Sequence, residues 1–218
     1  IIGLGIAAVT LATLFVLVER KAKEPLIPMQ LFTVRNFVVT TVAGTITGVV
    51  MFGVLAYMPT YIQMVHGMTP TKAGLMMIPM MAGMIVTATA SGQYVSRTGR
   101  YKWFPVAGLL VAATAVALMG LFDAHDSLLH LGLVLALMGV GLGLSMQILV
   151  LIVQNSFPIS MVGTATASNN FFRQIGGTAG SAIIGSLFTH RVADLMGQRV
   201  PGALQELGPQ GAPLAEKL

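Results

Sequence analysis

Apolar positions in this chain run in long unbroken blocks instead of alternating with polar ones. No Asp, Glu, Lys or Arg occurs in residues 36–71, 73–96, 103–122 or 127–172. A helix that crosses a bilayer needs about 20 consecutive, mostly apolar residues, so blocks of this length predict transmembrane helices. Six spans follow, at residues 1–18, 37–62, 73–95, 103–122, 128–153 and 163–188. The intervals between them carry the charge and the turn-forming residues. The linker at 19–36 has four basic residues and two prolines, which disfavour a continuous helix. Residues 190–218, rich in Pro and Gly, hold no span and are expected to form a flexible extracytoplasmic loop or tail.

Composition excludes the soluble alternative. Only 9% of residues are charged and 55% are hydrophobic, whereas a soluble domain carries roughly 25% charge to clothe its surface. The net charge of +5 does not point to nucleic acid, because the basic residues sit in short loops between apolar spans. Under the alternating topology, Arg20, Lys21, Lys23, Arg35, Arg97, Arg100 and Lys102 share one side and Lys72, Arg191, Arg199 and Lys217 the other. The richer side is expected to be cytoplasmic, with residues 63–71 and the segment from His190 outside. The absence of cysteine excludes disulfides, thiolate metal sites and cysteine nucleophiles. Ile1 opens inside an apolar run with neither Met nor a basic leader, so the chain is expected to be a fragment.

The turn Gly92–Lys102, GQYVSRTGRYK, resembles the G-x-x-x-D-R-x-G-R-R loop of the major facilitator superfamily in its second-half copy. Gly92, Arg97, Gly99 and Arg100 match, while Ser96 stands at the acidic position, so the charge relay attributed to that Asp is not carried over. EPLIPMQLF, YMPTYIQ, AGLMMIP, GVGLGLSMQILVLIVQN and GTATASNNFFRQIGGTAGSAIIG extend the resemblance over about residues 19–190, to drug:proton antiporters of the EmrB/QacA type with fourteen spans. The resemblance implies spans eight to thirteen of an all-α bundle in a bacterial plasma membrane. It also implies an N-terminal bundle and last span outside this chain. The implied partners are the bilayer, a small-molecule substrate and protons, with no cofactor.

Arg173 lies about ten residues into the sixth span, where a central arginine costs at least about 2.5–3.5 kcal/mol. At roughly 100° per residue, Thr166, Asn170, Arg173, Gln174, Gly177 and Ser181 make one polar or small stripe, opposite Phe171, Phe172, Ile175, Ala179 and Ile183. The stripe either lines a central cavity or a moving helix contact, or Arg173 only snorkels to the headgroups. Gln147 and Gln154 share a face of the fifth span with Ala136 and Gly143. Interhelical hydrogen bonding is expected of them ahead of substrate contact. Met76, Met77, Met80, Met81 and Met84 read as packing before they read as a drug pocket. The pairs Gly44/Gly48, Gly139/Gly143 and Gly176/Gly180 permit close helix approach.

His66, His125, His130 and His190 fall at outer boundaries and read as solvated loop residues. No span contains a carboxylate, so a coupling acid would lie outside this chain. Phosphate-binding loops and metal-ligand clusters are absent from the sequence, which argues against an enzyme. The rival readings are a transporter of another substrate class and a non-transport scaffold or sensor on the same fold.

Overall fold

The computed structural model describes residues 2–21, 27–122 and 127–206. Those residues form seven α-helices: α1 Ile2–Lys21, α2 Arg35–His66, α3 Pro70–Leu75, α4 Ile78–Thr98, α5 Trp103–Met119, α6 Leu128–Asn155 and α7 Ile159–Glu206. The acidic turn at 123–126, which includes His125, and residues 22–26 and 207–218 lie outside the described residues. Among the described residues, three helical stretches are long and apolar enough to cross a membrane: Arg35–His66, Pro70–Thr98 and Leu128–Asn155. Ile6–Glu19 and Trp103–Met119 are shorter apolar helices.

α6 is the hub. It packs on α4 and α5, while α7 lies along α2 and both touch α6. One core gathers Ile62, Met77, Met80, Ala112, Leu131, Leu135 and Met138 at the N-terminal end of α6. A second, at its other end, joins Leu31, Phe37, Val153 and Ala165. Many large apolar side chains remain exposed, among them Val42, Ile46, Ile85, Val86, Leu110 and Ile183. A soluble protein rarely shows so much contiguous apolar surface; a bilayer solvates it.

Glycine sets the helix spacing where lipid tails supply no hydrophobic drive for association. A Cβ on Gly139 would run into the Met80 carbonyl, and one on Gly143 into Met84 and Thr87, so α4 rides directly on the α6 backbone. α5 approaches the next face through Gly108 and Gly141; a Cβ on Gly108 would lie 2.7 Å from the Gly141 carbonyl oxygen. Gly48 of α2 and Gly176 and Gly180 of α7 meet in the same way, against Arg173, Thr45 and Val49.

Two expectations change. The third span is not one helix, because α3 ends at Leu75 and α4 starts at Ile78. Pro79 has no N–H and its ring would clash with the Leu75 carbonyl. The chain instead makes a tight turn, with the Met77 N–H on the Gly74 carbonyl. By contrast, α2 runs straight through Pro59 to His66 and ends on Gly67, whose φ of 61° is left-handed. The linker, with no continuous helix among its described residues 27–34, has one ordered stretch. Met29–Thr33 forms a 3₁₀ turn whose Leu31 is fully buried. Finally, α7 continues to Glu206, so residues 190–206 are helical instead of a flexible tail. At about 1.5 Å per residue its 48 residues reach roughly 72 Å, more than twice a hydrocarbon core of about 30 Å.

Candidate functional site

α7 brings the densest polar content to the bundle. Its tightest face against α2 comprises Ala165, Asn169, Gly176 and Gly180, all buried. Asn169, 3% exposed, donates from Nδ2 to the Thr41 hydroxyl of α2 at 3.1 Å. Thr45 donates to the Thr41 carbonyl at 2.8 Å and to the Phe172 carbonyl across the seam at 3.4 Å. Further along, the Tyr57 hydroxyl donates to the Ser181 carbonyl at 3.0 Å. Hydrogen bonds between membrane helices average about 0.6 kcal/mol, so these fix the rotation of α7 on α2 more than they hold the pair together.

That rotation places the predicted polar stripe about a quarter turn from the seam. Gly177 is buried, Asn170, Arg173 and Ser181 are half-buried, and Gln174 is exposed. Among the described residues no hydrogen-bond or ion-pair partner is found for the Arg173 guanidinium. Arg173 has its backbone carbonyl and stem against Gly48, and Gly177 meets the Phe52 ring, so this edge of the stripe still packs on α2 while Gln174 is exposed. Phe171, Ile175, Ala179 and Ile183 are exposed on the opposite side, as their pattern predicts. Phe172 is not: it is half-buried and meets Phe32 edge-on at 5.8 Å.

That contact belongs to a chain of rings that gathers one end of the bundle. Phe15 of α1 lies near Phe171 at 6.5 Å, Phe32 on Phe37 at 5.4 Å, and Phe37 on Phe157 at 5.8 Å. α1 otherwise stands largely apart from the bundle. Its Glu19 is 8% exposed and accepts the backbone N–H of Ile27.

Gln147 does not make the interhelical bond expected of it; it is exposed, and neither it nor Gln154 has a hydrogen bond among the described residues. α4 crosses α6 on the backbone at Gly139 and Gly143, and its hydrogen bond to α6 comes from Thr87, donated to the Val140 carbonyl at 3.3 Å. Met77 and Met80 are core side chains, whereas Met81 is exposed. His66 packs edge-on to Tyr61 at 6.1 Å, while His130 and His190 are exposed.

The turn between α4 and α5 holds the remaining motif. Gly99, φ 67°, caps α4 in the left-handed region that favours glycine, which accounts for that position. Arg97 and Arg100 are exposed beside it, and Gly92 faces open space on α4. Ser96 donates to the Gln93 carbonyl, and its uncharged hydroxyl stands where a relay would need a carboxylate.

Glycine-spaced helices with lipid-ready faces, a basic turn capped by Gly99 and a buried polar seam define an integral membrane protein of the helical-bundle class. The chain belongs to the major facilitator superfamily, whose family profile matches residues 1–181. It is 40% identical over 190 residues to an uncharacterised MFS-type transporter of Mycobacterium tuberculosis, covering 87% of this chain and 28% of that protein. It is 35% identical to the multidrug transporter protein MdtP of Bacillus subtilis, over all of this chain and 40% of that one. The tetracenomycin C resistance and export protein of Streptomyces glaucescens is 32% identical, over 99% of this chain and 40% of its own length. The chain thus spans well under half the length of these relatives. Asn169 and Thr41, the buried pair of the seam, are absent from the sequence-predicted set. The signal lay in the small residues Ala165, Gly176 and Gly180, which share a helical face with Asn169.

Proposed function

We propose that this chain is part of the C-terminal bundle of a secondary active exporter that moves small apolar or cationic molecules outward as protons enter. The observation that carries the reading is the half-buried Arg173 of α7, whose guanidinium has no partner among the described residues, flanked by half-buried Asn170 and exposed Gln174. A charge half-buried with no partner among the described residues fits a surface turned toward a second bundle or a water-filled path. Gln147, exposed on α6, is the other candidate on this path. Export as the direction, and drugs as the cargo, are supported by relatives named for multidrug transport and for tetracenomycin C export.

In this reading six spans cross the plasma membrane of a bacterium. The segment 19–36 and the α4–α5 turn lie inside, and 63–71 and the segment from 190 outside. The two halves rock about a site between them. No coupling carboxylate lies in the spans of this chain, so the proton-binding group belongs to the rest of the polypeptide. The reading is tested in cells expressing the full-length protein, loaded with a fluorescent lipophilic cation. Energised cells should keep the dye out, and a protonophore should restore its accumulation to the level of cells lacking the protein. Exclusion that survives the protonophore would refute proton coupling.

A further inference from the structure

The turn between α4 and α5 forms more than a solvated patch of positive charge. Tyr94 and Phe104 meet there at a ring-centroid distance of 5.5 Å and wall a groove of about 720 Å³, which Arg100, Lys102 and Trp103 complete. That volume falls within the roughly 300–1,000 Å³ of clefts that hold small ligands. Trp103 is 81% exposed at the first residue of α5, and Arg100 and Lys102 are exposed next to it. Among the described residues none of Arg97, Arg100 and Lys102 has an ion-pair partner. The position that could supply a carboxylate within the turn is Ser96, whose hydroxyl is spent on the Gln93 carbonyl.

We propose that this groove binds the headgroup of an anionic phospholipid. The wall chemistry selects that ligand. Guanidinium and ammonium groups match a phosphodiester in geometry and charge. Exposed Trp and Tyr settle at headgroup depth, where their apolar rings meet the glycerol and upper acyl region. A free anion would use the cations but leave the aromatic wall empty, so the lipid is the occupant favoured. The inference rests on α4 and α5 crossing the bilayer, and it is read on purified protein, so its failure is separable from failure of transport.

The test uses the full-length protein in phosphatidylcholine nanodiscs with phosphatidylglycerol titrated in, and native mass spectrometry to count retained lipid. Phosphatidylglycerol should be retained in preference to phosphatidylcholine. Each cation removed near a surface weakens such binding about fivefold, so R100Q/K102Q should lose about thirtyfold. Arg100→Lys keeps the charge and should retain most of the binding. Ser96→Asp restores a carboxylate without removing a cation, and should weaken retention about fivefold even if the double variant folds poorly. Millimolar inorganic phosphate should leave the lipid in place. Equal retention of both lipids, wild-type retention by R100Q/K102Q, or displacement by inorganic phosphate would each overturn the proposal.

Discussion

Replacing Gly139 with alanine should destabilise the full-length protein more than any other single methyl added to α6, because the new Cβ would fall against the Met80 backbone carbonyl. Backbone cannot rotate away as a side-chain tip can. The helices must separate, and the Thr87 bond to the Val140 carbonyl, 3.3 Å long, goes with them. Overpacking of this kind typically costs about 1–3 kcal/mol, and in cells a loss of that size lowers abundance several-fold. Gly163→Ala is the control, since a Cβ there has nothing within 4 Å. It should be neutral or gain up to about 1 kcal/mol of helix propensity. Thermal melting of a fluorescent-protein fusion, followed by size-exclusion chromatography, separates the two. Identical melting of Gly139→Ala and wild type would show that α4 and α6 do not pack as described.

Arg173→Ala should reduce efflux strongly in the full-length protein while leaving membrane abundance nearly intact. Removing the guanidinium also removes its burial cost, at least about 2.5–3.5 kcal/mol at mid-membrane, so stability need not fall. Lysine should rescue only in part, because its point charge cannot reproduce the planar fork that engages two partners at once. If the side chain only snorkels, lysine should work almost as well as arginine, since both reach the headgroups on an apolar stem. Dye efflux at matched expression distinguishes the cases. Normal efflux by both variants would eliminate the transport role.

The apolar helical character was legible because a bilayer demands long apolar runs, although the third predicted span contains the break between Leu75 and Ile78 and the fourth runs past Met119, where α5 ends. What escaped notice was decided by local backbone chemistry. The break at Met76–Met77 follows from Pro79, yet Pro59 leaves α2 unbroken, and proline alone does not distinguish the two outcomes in a membrane helix. The glycine pairs were legible as contacts, since Gly48, Gly139, Gly143, Gly176 and Gly180 meet a neighbouring helix at backbone distance, while Gly44 has only the Asn169 side chain near it, at 3.8 Å. The rotation of α7 was not. Asn169 and Asn170 are adjacent, and polarity gives no reason for the first to face α2 and the second to sit beside the seam. In a membrane helix the buried face is marked by small residues and not by hydrophobicity, so a stripe drawn on polarity lands off the seam. Phe172 was misplaced for the same reason: an apolar ring suits lipid and protein equally well. The helical course of residues 190–206 also escaped, because Gly and Pro there were read as breakers.

The central claim is that these helices cross a bilayer with the basic α4–α5 turn on the cytoplasmic side. The transport direction and the setting of Arg173 both depend on it. The chain has no cysteine, so one cysteine at Thr98, exposed in that turn, can report on it directly if any cysteines in the rest of the polypeptide are first replaced. A membrane-impermeant maleimide should leave Thr98→Cys unlabelled in intact cells and label it after permeabilisation, while a cysteine at Thr69, in the turn before α3, should react in intact cells. Labelling of the residue-98 cysteine in intact cells would contradict the account.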